Sequence, residues 1–159
     1  MGGRARELSE RLRQFNDDII AFVEKCTDVD WLKECTVEQW PVGVTARHIG
    51  AGHYSVVAVA GMMIAGEKLP ELTMETIVDM ANQHAREHAG CTKQEVLDVL
   101  AKGGVEMTAF VAGLQDSDLD CRRHFAVMGR EITVEEFLEN VVLRSAGDHF
   151  ANMKAAVGK

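Results

Sequence analysis

Proline is almost missing from this chain. Its 159 residues hold only Pro41 and Pro70, so long stretches escape the residue that breaks helix interiors. Aromatics make up 6%, with one tyrosine, and runs of β-branched residues are short, which argues against a large sheet. Cys26, Cys35, Cys91 and Cys121 form no C-x-x-C pair, which excludes a zinc knuckle and a thioredoxin-type redox motif. Basic charge is also scarce: the formal net charge is -8. Such a surface repels phosphate, which argues against nucleic-acid binding and against docking on anionic membranes. No apolar core segment lies between Met1 and Gln14, so no secretory signal is expected. The expectation is a cytoplasmic protein with reduced thiols. The most apolar run, Ile49 to Ile64, is interrupted by His53, Tyr54 and Ser55. It falls short of the about 18 apolar residues that suggest a membrane span, and a buried helix is the expected reading.

What is present is helical periodicity. A length of 159 residues with 47% hydrophobic content suits one domain, residues 1–159, with a substantial core. Leu8, Leu12, Phe15, Ile19, Phe22 and Cys26 recur at three- and four-residue steps and predict a first helix from about Arg4 to Cys26. Thr27 to Trp40 reads as a connection, with Trp31 and Trp40 as anchors. Pro41 suits the first turn of a second helix, which Gly66 to Pro70 ends. Thr73 caps a shorter helix ending near Gly90, with Ile77, Ala81, His84 and His88 along one stripe. Thr92 with Glu95, and Thr133 with Glu136, have capping-box spacing. They open two further amphipathic helices, one carrying Val96, Leu100, Met107, Phe110 and Leu114, the other Leu138, Val142, Met153 and Ala156. The link from Asp116 to Ile132 has room for an extended stretch at Phe125 to Met128. The sum is an all-α four-helix bundle with one extra short helix.

Chemistry is expected where polar groups interrupt apolar stripes, because burying an unpartnered polar group is costly. On the second helix, Val44, His48, Gly52, Ser55 and Val59 share a line, and Gly52 removes the side chain that would cover the His48 imidazole. On the last helix, Leu138, Val142, Ser145, His149 and Met153 share a face, pointing Ser145 and His149 inward together. His53 belongs to another stripe, with Ile49, Val56, Ala60 and Met63. Five residues of regular α-helix turn it well away from His48, so a structural role and no shared metal are expected for it. His124, beside Arg122 and Arg123, reads as solvated. His84-Ala-Arg-Glu87-His88 matches the H-x-x-E-H order of inverted zinc peptidases, but the chain lacks their size and mixed α/β context. A lining role for His84 and His88 is the preferred reading.

Trp40-Pro-Val-Gly-Val-Thr-Ala-Arg-His48-Ile, the ending His149-Phe-Ala-Asn-Met-Lys-Ala-Ala-Val and the order of elements together resemble the DinB/YfiT-like family of metalloenzymes. That family is related to the N-terminal domain of mycothiol-dependent maleylpyruvate isomerase. The resemblance implies a divalent metal, zinc or nickel, bound by a second-helix histidine and an H-x-x-x-H pair on the last helix. It therefore nominates His48 and His149 as ligands. The middle position is Ser145, and a neutral hydroxyl is a poor zinc or nickel ligand beside imidazole. Asp148, His84 or His88 are the alternative sources of a third ligand. The resemblance further implies a thiol-dependent transferase, isomerase or hydrolase acting on a small molecule, with a low-molecular-weight thiol as cofactor, and a homodimer. The alternative is a metal-free small-molecule-binding or scaffold bundle, in which His48, Ser145 and His149 form a polar pocket or a satisfied core network.

Overall fold

Three strong N-caps start three of the helices. Thr73, Thr92 and Thr133 each accept a hydrogen bond from the backbone N–H three residues on. In the last two, Glu95 and Glu136 return the bond to the cap residue's own N–H, so two orphan donors are satisfied at once. The structure, a computed structural model describing residues 2–158, is mostly helical. Helix α1 spans Gly3–Lys25 and α2 spans Asp28–Leu32. Two short strands follow, β1 (Glu34–Cys35) and β2 (Trp40–Pro41), paired antiparallel. Helix α3 runs without a break over Val42–Ala65. Then come α4 (Met74–Glu87), α5 (Lys93–Ala112) and the single turn α6 (Asp116–Leu119). A hairpin of β3 (Arg122–Phe125) and β4 (Arg130–Thr133) leads into α7, a continuous helix over residues 134–157.

Helices α1 and α5 lie against each other along most of their lengths, burying Leu8, Leu12 and Ile19 against Val96, Leu100 and Met107. Phe15 and Phe22 are only half-buried and meet Phe150 of α7 edge-on, with ring centres 6.1 and 5.6 Å apart. Polar groups on this seam are satisfied. The Asn16 amide donates to the Leu100 carbonyl at 3.1 Å and accepts from the Tyr54 hydroxyl at 2.7 Å, which ties α1, α3 and α5 together. Close approach of α3 to α5 depends on glycine. A Cβ on Gly103 would stand 2.9 Å from the Gly50 carbonyl oxygen, and one on Gly50 would stand 2.9 Å from Val99.

Two helices depart from the regular α form. Helix α3 passes through a π-helical segment, Ile49–His53, and a 3-10 turn, Tyr54–Val56, before resuming as α-helix at Val57. Helix α7 is π-helical over Glu139–Ala146. Such segments bond i to i+5 instead of i to i+4, and they concentrate at functional sites.

The connections differ from expectation at two places. Thr27 to Trp40 is not plain linker: Thr27 and Asp30 form a capping box that starts α2, and Trp31 is anchored by its Nε1–H on the Cys91 carbonyl at 3.0 Å. Phe125 to Met128, read as extended, is mostly the hairpin turn, where Met128 and Gly129 both donate to the Phe125 carbonyl. The strands flank it on either side. Helix α3 begins at Val42, next to the Pro41 expected at its first turn. With 24 residues and mean hydropathy 1.3 it is long and apolar enough to cross a membrane by length and composition. A core helix meets the same description, and Ala46, Ile49, Tyr54, Ala60 and Met63 of α3 are all closed off from solvent.

Candidate metal centre

His48 lies at the end of the first α-helical turns of α3, and His53 at the end of the π segment that follows. In a regular helix five residues separate side chains by about 140°. In the π segment, bonding to i+5 brings residues five apart over one another. His53 therefore returns to the face of His48, their ring centres 4.9 Å apart. This corrects the assignment of His53 to a separate stripe turned away from His48, which assumed regular α-helical rotation. His149, from the last α-helical portion of α7, completes the group at 5.2 Å from His48 and 5.1 Å from His53.

One ligand nitrogen from each of the three imidazoles lies within 4.8 Å of the other two. Tetrahedral nitrogens around one zinc at ~2.1 Å stand about 3.4 Å apart, so modest side-chain rotation closes the set on an ion. The hydrogen bonds behind the rings suit that role. His53 Nδ1 lies 2.8 Å from the Val141 carbonyl oxygen, an acceptor that calls for the proton on Nδ1 and leaves the Nε2 lone pair free. His149 Nδ1 lies 2.5 Å from Glu38 Oε2, with the same consequence. A carbonyl or carboxylate behind the imidazole is the usual way a metal-binding histidine is oriented and made more basic. Burial pushes His48 down to about 3, and the neighbouring imidazoles of His53, His149 and His84 push the same way. His53 falls to about 4, again mainly by burial, with the Val141 bond opposing. Both rings are neutral at pH 7 with lone pairs available.

Glu38 was not legible as a site residue. It sits in the turn between β1 and β2, one acid among several in a polar connection, and only the fold carries it to His149. Its side chain is 3% exposed. Oε2 also accepts from the Asn152 amide at 2.9 Å, while Oε1 is buried with no partner. The next residue, Gln39, has φ 61, a left-handed conformation that non-glycine residues adopt at a cost. That backbone places Glu38 behind His149 and Trp40 in front of the cluster. Trp40 stacks on His149 and meets His48 edge-on, with centres 6.4 and 5.1 Å apart. Its Nε1–H is held by Asn82 at 3.2 Å.

The other nominated residues fall around this group. A Cβ on Gly52 would come within 3.2 Å of the His48 ring, so the glycine does make room for the imidazole. Ser145 is half-buried, and its hydroxyl makes no hydrogen bond among the described residues. Asp148 is exposed and lies outside the cluster. His84 has its ring centre 6.0 Å from His48 but turns Nε2 toward Arg47 Nη1 at 2.5 Å. His88 lies beside His84 with its ring tilted at 45° and the centres 4.6 Å apart. Neither belongs to the three-histidine group, so the third imidazole comes from His53 and not from α4. The H-x-x-E-H spacing builds no second centre either, since Glu87 accepts from Gln83 on an exposed face.

No family model, curated protein or solved structure matches this chain. The case for a site rests on the residues. A surface cavity of about 890 Å³ lies elsewhere, between the segment Gly66 to Met74 and the β3–β4 hairpin. None of the three histidines lines it. Donor chemistry outweighs cavity size here, because three convergent imidazoles, two of them with oriented tautomers, are much more specific than an open groove.

Proposed function

We propose that this chain is a divalent-metal-dependent enzyme of DinB/YfiT-like type, a four-helix bundle acting on a small molecule by thiol transfer, isomerisation or hydrolysis. One observation carries the reading: three imidazoles from two helices converge, two of them with Nδ1 set against an oxygen acceptor. Zinc and nickel are the ions that suit an all-imidazole set. Three protein ligands leave a position open, as catalytic sites do. A divalent ion held there supplies the Lewis acidity that makes a water or thiol nucleophilic at neutral pH.

The protein's own part is to fix and shield. Glu38 and the Val141 carbonyl hold His149 and His53 in one tautomer, Trp40 covers one side, and His149, with 22% of its side chain exposed, marks the side open to solvent. His53 takes the role that the resemblance gave to the position of Ser145. The metal-free reading draws its support from the 890 Å³ cavity away from the histidines, which offers room for a small ligand with no metal involved.

Metal analysis of untagged protein separates the two. The enzyme reading expects one zinc or nickel per chain, lost in His48→Ala, His53→Ala and His149→Ala but retained in His124→Ala. Protein that binds no metal after incubation with either ion sinks it.

A further inference from the structure

Arg47 precedes His48 in the sequence, and its guanidinium turns toward α4 instead of toward any acid. Four exposed arginines meet carboxylates: Arg4 with Asp120, Arg11 with Glu139, Arg13 with Glu10 and Asp17, Arg130 with Glu136. Arg47 is half-buried, and its one side-chain partner among the described residues is the neutral ring of His84. A positive charge withdrawn from water without a counter-charge is costly. The bond to Arg47 makes His84 Nε2 the acceptor and puts the ring proton on Nδ1, which is buried and unpartnered. His84 therefore cannot neutralise the guanidinium, and its own ring is left incompletely satisfied. The pair adjoins the metal centre, since the His84 and His48 ring centres are 6.0 Å apart.

We propose that Arg47, steadied by His84, is the anchor for a carboxylate group of the small-molecule substrate, holding it beside the three-histidine centre. The substrate class of the proposed enzyme is thereby narrowed to small organic carboxylates, and in that respect the inference rests on the metal reading. Guanidinium presents donors in a planar fork that matches carboxylate oxygens. One guanidinium with one edge already engaged has the capacity for a single carboxylate. Phosphate sites draw on more donors, and among the described residues neither a lysine nor a second arginine is bonded to this pair.

The test uses the full chain, metal-free and zinc-loaded, labelled with 15N and titrated with benzoate and separately with inorganic phosphate. The expected result is a saturable shift of the Arg47 side-chain N–H signals by benzoate in wild-type protein. Affinity should fall about tenfold to a hundredfold in Arg47→Gln, the range for losing a charge-assisted bond, and less in Arg47→Lys, while zinc stoichiometry stays unchanged in both. No saturable shift of Arg47 in the wild-type chain overturns the proposal, as does tighter binding of phosphate than of benzoate. Benzoate binding at Arg47 in a chain that takes up no zinc supports the anion site and defeats the metal reading alone.

Discussion

Along the seam of α1 and α5, apolar positions keep the ordinary 3.6-residue period, and every polar group has found a partner within the protein. Asn16 bridges Leu100 and Tyr54, and Ser9 donates to the Thr108 carbonyl. Where α3 meets α7, both helices pass through π segments and three imidazoles face one another with no hydrogen bond between them. The two buried side-chain atoms without partners among the described residues, Glu38 Oε1 and His84 Nδ1, both flank this second region. Native proteins leave few such groups, and each one asks for an explanation. The first seam is complete without a ligand and supplies stability. The second is the one proposed to take a metal, and irregular helix is what lets it collect side chains that a regular helix would scatter.

Separating the two regions by mutation is the strongest test of that contrast. Leu100→Ala removes a fully buried side chain from the α1–α5 seam and is expected to cost about 2–5 kcal/mol by urea unfolding. Zinc affinity of the folded fraction should hold within about threefold. A parallel collapse of metal binding would show that the seam and the site are one cooperative unit. Glu38→Gln reverses the pattern. It removes the carboxylate behind His149 and should weaken zinc about 10- to 100-fold, as loss of a ligand-orienting partner does, with little change in the urea midpoint. Equal zinc affinity in the variant would mean that Glu38 serves packing and not the ligand.

The legible parts of the sequence are those where period and chemistry agree locally. Helices α1 and α5 show their buried stripe directly, and the boxes at Thr92 with Glu95 and Thr133 with Glu136 mark where two helices begin. His48, Gly52 and His149 stand out as polar or missing side chains on apolar faces. His53 did not, because placing it needs the extra residue of a π turn, and Gly50-Ala-Gly52 carries no local sign of one. Glu38 was hidden for another reason: it reaches His149 across 111 positions of chain, through a turn whose strained residue is Gln39. Long-range placement by a loop leaves no periodic trace.

The π segment itself can be tested by shortening it. A π turn is an α-helix with one residue inserted, so deleting Ala51 should restore regular α-helix without changing the phase of the flanking turns. His48 and His53 would then be four residues apart and still share a face. Zinc affinity is expected to stay within about tenfold of wild type, measured by competition with a chelator. Complete loss of binding would mean that the bulge sets the ligand geometry, and not merely the ligand face.

The smallest expected effect is in pH. His48 and His53 have folded values of about 3 and about 4 against an ordinary 6.5, mainly through burial. Below 6.5 the unfolded chain binds protons that the folded chain refuses, so stability is full above that pH and drains away as pH falls toward the folded values. Between pH 7 and pH 6, before carboxylates titrate, the two rings together should cost the metal-free protein about 1 kcal/mol. Thermal melts across that interval measure it, and His48→Gln should reduce the slope, with His53 and His84, which burial also lowers, supplying the rest. A regular core has no such dependence: Leu100→Ala should lower the whole curve without changing its tilt. If the tilt survives loss of both His48 and His53, the titrating groups lie elsewhere, and the contrast between a finished seam and an unfinished site loses its electrostatic half.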